Sequence, residues 1–105
     1  MLLRHATVLK HLPSIQRRGL LCSKSKGKLP VVWLHSQVAS SWAVLHTIKR
    51  HGGRVEGVVI IEVDAPRSWL RRSCKRLCWY SVRDIPPDRF GRLIAFAELA
   101  GKSVA

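Results

Sequence analysis

Hydrophobic residues along this chain fall into runs of two different periods, separated by Gly, Pro and Ser clusters, and the runs predict strands alternating with helices. Leu2 to His5 reads as a short strand, abbreviated at its start. Pro13 suits the first turn of a helix and Gly19 suits a left-handed stop, so a helix is expected over Leu12–Arg18. The polar stretch Ser23 to Lys28 is a loop closed by Leu29-Pro30. Val31 to His35 is β-branched and aromatic, as a buried strand should be; alternation puts Val31, Trp33 and His35 on one face and Val32 and Leu34 on the other. Ser36 can cap a following helix, in which Val38, Trp42 and Leu45 recur at i, i+4 and i+7 with Ala39, Ala43 and Ile48 beside them, until Gly52-Gly53 ends it.

The second half continues in the same way. Arg54 to Asp64 holds the run Val58-Val59-Ile60-Ile61 and then Val63, the composition of a central strand. Pro66 opens a helical turn over Arg67–Arg72, Leu77 to Val82 reads as another strand, and Ile85-Pro86-Pro87 is a rigid turn. In the tail, Phe90, Leu93, Ile94 and Ala97 fit a helix by spacing. The sum is an α+β domain with a small, curved, mostly antiparallel sheet and flanking helices.

Size and charge narrow the possibilities. With 105 residues, 47% of them hydrophobic, the chain can build one core, so 1–105 is read as a single domain. Charges or glycines interrupt every apolar run well short of the roughly 20 residues that span a bilayer, so no membrane partner is expected. Nineteen Lys and Arg against six Asp and Glu give a net charge of +13, an excess that attracts nucleic acid or a phosphate-rich small molecule. Glu56 is the first acidic residue. An acid-free start with Arg and Ser also fits a mitochondrial presequence over residues 1–25, although Pro13 argues against it. Cys22, Cys74 and Cys78 are an odd number without zinc-ligand spacing, which points to a reducing, cytosolic interior and to no metal site. Mitochondrial residence is the alternative.

Five short segments then follow one another in a telling order: His5-Ala6-Thr7; Ser14-Ile15 with Gly19-Leu20; Val31-Val32-Trp33-Leu34-His35-Ser36; Val58-Val59-Ile60-Ile61-Glu62-Val63-Asp64; and Ile85-Pro86-Pro87. This succession resembles the NAD-binding lobe of the ADP-ribosyltransferase superfamily, and most nearly the C-terminal lobe of the RNA 2′-phosphotransferases. The likeness spans roughly residues 2–90. It implies a split β-sandwich with an NAD cleft between two half-sheets, and it puts a last strand around Arg92–Phe96, which is preferred to the helix for the tail. NAD would be the substrate, held by His5, Thr7 and Trp33: His5 on the adenine-side ribose, Thr7 near the nicotinamide amide, and Trp33 as a flat surface for a ring. His35 would serve at the reacting centre, and Arg72 or Arg76 would grip phosphate, as a planar guanidinium does well. Ala6 stands where the family pattern has glycine, which weakens activity if a positive φ is needed there. The N-terminal lobe that contacts RNA in the phosphotransferases has no counterpart, so a minimal transferase, a toxin-like enzyme or a decayed fragment is implied.

Two functions therefore compete. One is an ADP-ribosyltransferase-like enzyme, active or impaired, that transfers ADP-ribose from NAD to a nucleic-acid or other phosphorylated acceptor. The other is a non-enzymatic basic RNA-binding protein, organellar or ribosome-associated, that uses its cationic face and aromatic rings.

Overall fold

Continuous β-branched runs need neighbours on both sides, and in the computed structural model they become the middle of one sheet. The structure describes residues 1–25, 28–50, 57–73 and 78–95. In chain order the elements are β1 (Leu2–Val8), α1 (Leu12–Arg18), β2 (Val32–His35), α2 (Ser40–Arg50), β3 (Val58–Asp64), β4 (Leu70–Arg72), β5 (Cys78–Ser81) and β6 (Phe90–Ala95), with short 3-10 turns between several of them. The strands form a six-stranded antiparallel sheet in the order β4-β5-β2-β1-β3-β6. The fold is α+β, as the patterning predicts.

The sheet has two unequal wings. On one side β1 pairs with β3 over seven positions, from Leu2↔Asp64 to Val8↔Val58. On the other, β2 pairs with β5 over four positions, and β5 carries the edge strand β4. Between the wings, β1 and β2 are joined at one register pair, Arg4↔His35.

Each face has its own core. Leu3, Val32, Leu34, Ile61, Val63 and Leu70 bury one face beneath Leu20 and Ile85, with Leu12 and Ile15 of α1 packed against them. Val58, Ile60 and Ile94 bury the other beneath Val44 and Ile48 of α2. The first core is closed by a strap: Leu20 and Ile85 exchange backbone hydrogen bonds of 2.8 and 2.9 Å. Gly19, at φ 88°, lets the chain leave α1 and pass under Ile85.

Several expectations change in contact with tertiary structure. The strand read over Leu2–His5 extends to Val8, because β3 supplies partners along its whole length. The segment Arg67–Arg72 is not one helical turn. A 3-10 turn ends at Trp69 and the chain then becomes β4, because Leu70 is buried in the core and pairs with Ser81. Ser36 does not cap through its side chain; its Oγ is buried without a hydrogen-bond partner. The apolar stripe of α2 faces the other way. Ser40, Ala43, Val44, Thr47 and Ile48 are buried, whereas Val38, Trp42 and Leu45 are exposed, since small residues let the helix approach the sheet closely. The tail is the strand Phe90–Ala95. The helix stop Gly52-Gly53, the start of β3 at Arg54, and Cys74 lie outside the described residues. No described helix is long and apolar enough to cross a membrane.

Replacing Gly19 by Ala should lower stability by about 2–4 kcal/mol, because an added methyl combines a positive φ with a collision against the Ile85 carbonyl oxygen. Urea unfolding of the variant beside wild type measures it.

Candidate functional site at the sheet junction

Alternation along β1 sets Leu3, His5 and Thr7 on one face and Arg4, Ala6 and Val8 on the other. Register fixes what each meets. Arg4 lies opposite Glu62 on β3 and His35 on β2, and it is buried, donating 3.1 Å to Ser40 Oγ and 3.4 Å to Glu62 Oε2. Glu62 also receives Arg92 at 3.5 Å. A buried guanidinium needs such partners, since an unpaired charge would be strongly destabilising. This cluster, absent from the sequence reading, ties β1, β3 and the first residue of α2 together beside the junction.

His5 occupies the gap where β1 and β2 separate. Its Nδ1–H donates to the Trp33 carbonyl oxygen at 2.7 Å. A side chain thereby stands in for the next backbone donor of the ladder. The bond fixes the proton on Nδ1 and leaves Nε2 as an acceptor when the ring is neutral. Burial lowers the His5 pKa, and the Trp33 carbonyl opposes that shift. His35, across the junction, is 4% exposed and its Nε2 has no hydrogen-bond partner. Its pKa is pushed down to about 4, by burial first, then by the charges of His5 and Arg4. The two imidazoles are thus electrostatic neighbours, both held neutral near pH 7.

The remaining predicted residues divide between the faces. Thr7 is buried on the His5 face, opposite Val59. Trp33 shares a face with His35, as alternation requires, and the Arg4↔His35 register puts both on the Arg4 and Ala6 side of the sheet, the side opposite His5 and Thr7. Trp33 is a surface residue, 40% exposed, leaning on Tyr80 with ring centroids 5.3 Å apart. Tyr80 was not foreseen. Its place opposite Trp33 could have been guessed only with the β2–β5 register known. Ala6 pairs with Ile60 and packs into the α2 core, so its methyl points away from His5 and Thr7. It sits in regular strand, where no left-handed conformation is required.

Arg72 is not brought to the imidazoles. It is exposed on the edge strand with its guanidinium 5.4 Å from the Trp79 ring centroid. Three strand spacings, roughly 14 Å, separate that edge from β1. Arg76 lies outside the described residues. Among those residues no cluster of His, Cys, Asp and Glu has the makings of a metal site. A separate open groove, lined by Arg18, Leu21, Cys22, Trp69, Val82, Arg83, Asp84 and Pro86, includes none of the predicted site residues.

No family model matches this sequence, and no curated protein matches it. The chemistry at the junction therefore rests on its own geometry.

That geometry has a pH signature. Both histidines have folded pKa values below 6.5, so between about pH 6.5 and 4 the unfolded chain takes up protons that the folded chain refuses. Their contribution is intact above the unfolded pKa and is lost as pH falls through this window. The urea midpoint should drop on acidification from pH 7 to 4.5, and His35→Gln should flatten that dependence; an unchanged slope would remove His35 as a source of it.

Proposed function

We propose that this protein is an ADP-ribosyltransferase-like enzyme that takes NAD as substrate at the β1–β2 junction and passes ADP-ribose to a nucleic-acid or other phosphorylated acceptor. The observation that carries the reading is the single-pair junction with the His5 imidazole bonded to the Trp33 carbonyl. A sheet that opens between two wings is the backbone arrangement expected of a split β-sandwich, and this opening falls between the two segments whose order resembles that superfamily.

The residues fit the substrate in kind. His5, with its proton committed to Trp33, keeps a nitrogen lone pair that accepts from a ribose hydroxyl. Thr7, two positions along the same face, adds a hydroxyl on the same side. The indole of Trp33 is exposed on the opposite face of the sheet, so the reading rests on His5 and Thr7 and not on Trp33. Ala6 keeps its methyl in the α2 core, so the departure from glycine leaves the His5–Thr7 side unobstructed. Cleavage of the nicotinamide–ribose bond depends chiefly on holding the two halves of the substrate in place. A neutral imidazole and a hydroxyl on one face serve that purpose, and the cationic surface draws in an anionic substrate and acceptor.

Calorimetric titration with NAD should give heat for wild type and at least tenfold weaker binding for His5→Ala and for Thr7→Val. Equal heats in all three, or none in wild type, would remove the enzyme reading.

One observation favours the rival reading, a basic RNA-binding protein. Arg71, Tyr80 and Trp33 form a transverse row across β4, β5 and β2, on the wing that α2 does not cover. Such a row can stack bases and neutralise phosphate. In that case single-stranded RNA should bind wild type with a log–log salt slope near −0.7 per neutralised phosphate, should lose affinity in Tyr80→Ala, and should be indifferent to NAD.

A further inference from the structure

The helix α2 and the 3-10 turn Gln37–Ala39 before it are apolar on two sides. The inner side is built from small and medium residues, Ala39, Ala43, Val44 and Ile48, which are buried. The outer side carries the bulk: Val38 is 77% exposed, Trp42 49% and Leu45 65%. A helix solvated on its outer face carries polar residues there, and one that is apolar all round is normally covered. The exposed residues also have a definite geometry. Val38, Trp42, Leu45 and Lys49 are spaced four, three and four apart, the narrow seam by which one helix packs along another.

Charge selects what lies in that seam. From Ser36 to Arg50 there is no carboxylate, and Lys49 and Arg50 are exposed at the helix end. Glu62, bonded to the Arg4 that also meets the first residue of α2, is held by Arg4 and Arg92. A second copy would bring another +13 against the first, and like charge opposes that association. A nucleic-acid strand has no use for Val38 and Leu45, and one face of Trp42 is already taken by His46, stacked at 5.1 Å and 12°. We infer that the outer face of α2 is the docking surface for an acidic amphipathic helix of another protein, whose apolar side covers Val38, Trp42 and Leu45 while its carboxylates meet Lys49 and Arg50. This surface is separate from the β1–β2 junction and does not depend on the enzymatic reading.

The probe is a synthetic helical peptide of three heptads with leucine along the seam and glutamate on the flanks. Controls are a scrambled peptide of the same composition and a lysine-flanked version. Fluorescence anisotropy with the full chain should show binding of the acidic seam peptide at least tenfold tighter than either control. Trp42→Ala and Leu45→Asp should each weaken it tenfold or more, while Lys10→Ala, on an exposed residue elsewhere, should leave it unchanged. Circular dichroism verifies that the variants stay folded, as expected for exposed positions. The proposal is overturned if the scrambled peptide binds equally or if the α2 variants bind like wild type. It is also overturned if sedimentation shows a dimer dissolved by Leu45→Asp, which makes a second copy the occupant. Phosphatidylglycerol vesicles or oligouridylate taking the place of the peptide with the same variant sensitivity would overturn it as well.

Discussion

The centre of this molecule is a place where two strands nearly fail to pair. β1 must be the long middle strand of one wing and the inner edge of the other, and its register satisfies β3 in full while leaving β2 a single position, Arg4↔His35. An opened ladder exposes backbone carbonyls that need donors. His5 supplies one, at the Trp33 carbonyl, and so a histidine becomes part of the sheet. The same junction puts two imidazoles within each other's electrostatic reach, one on each face of the sheet. Structure and chemistry at this point are one arrangement.

What holds the arrangement is a buried charge. Arg4 could not lie under α2 without the Ser40 hydroxyl and the Glu62 carboxylate, and Glu62 is shared with Arg92 on the edge strand. Its positive charge helps keep His35 neutral, so the cation that braces the sheet also sets the protonation of the neighbouring ring. Elsewhere the surplus of cations is on the surface, where it costs little and acts at a distance on anions. The Arg4 cluster in the interior is paired, His35 Nε2 and Ser36 Oγ are buried without partners, and the exposed outer face of α2 is an apolar patch on a cationic protein.

The elements were mostly legible because their signals are local. Val58–Ile61 and Val31–Leu34 have no plausible home except a buried strand, and Pro13 with Gly19 brackets α1. β4 was misread because a three-residue strand containing Arg71 and Arg72 has no periodicity to show; only its pairing with β5 defines it. The periodicity of α2 shows a helix but not which of its apolar stripes faces the sheet, and packing against Ile60 and Ile94 selects Val44 and Ile48. At the site, residue kinds were legible and relations were not. That Trp33 and His35 share a face follows from alternation, but the His5–Trp33 bond, the burial of Arg4 and the remoteness of Arg72 all depend on strand order, which spacing along the chain does not encode.

The pairing of β1 also governs when the protein can fold. All seven of its β3 partners lie between Val58 and Asp64, so β1 is made well before any neighbour it can pair with on that side. The strap from Leu20 to Ile85 closes a still longer loop. Contacts this far apart in sequence make folding slow and leave Leu3, the Val58–Ile61 run and their neighbours uncovered in the meantime. During that interval the repulsion among the Lys and Arg side chains, which destabilises the finished domain, keeps nascent copies from clumping.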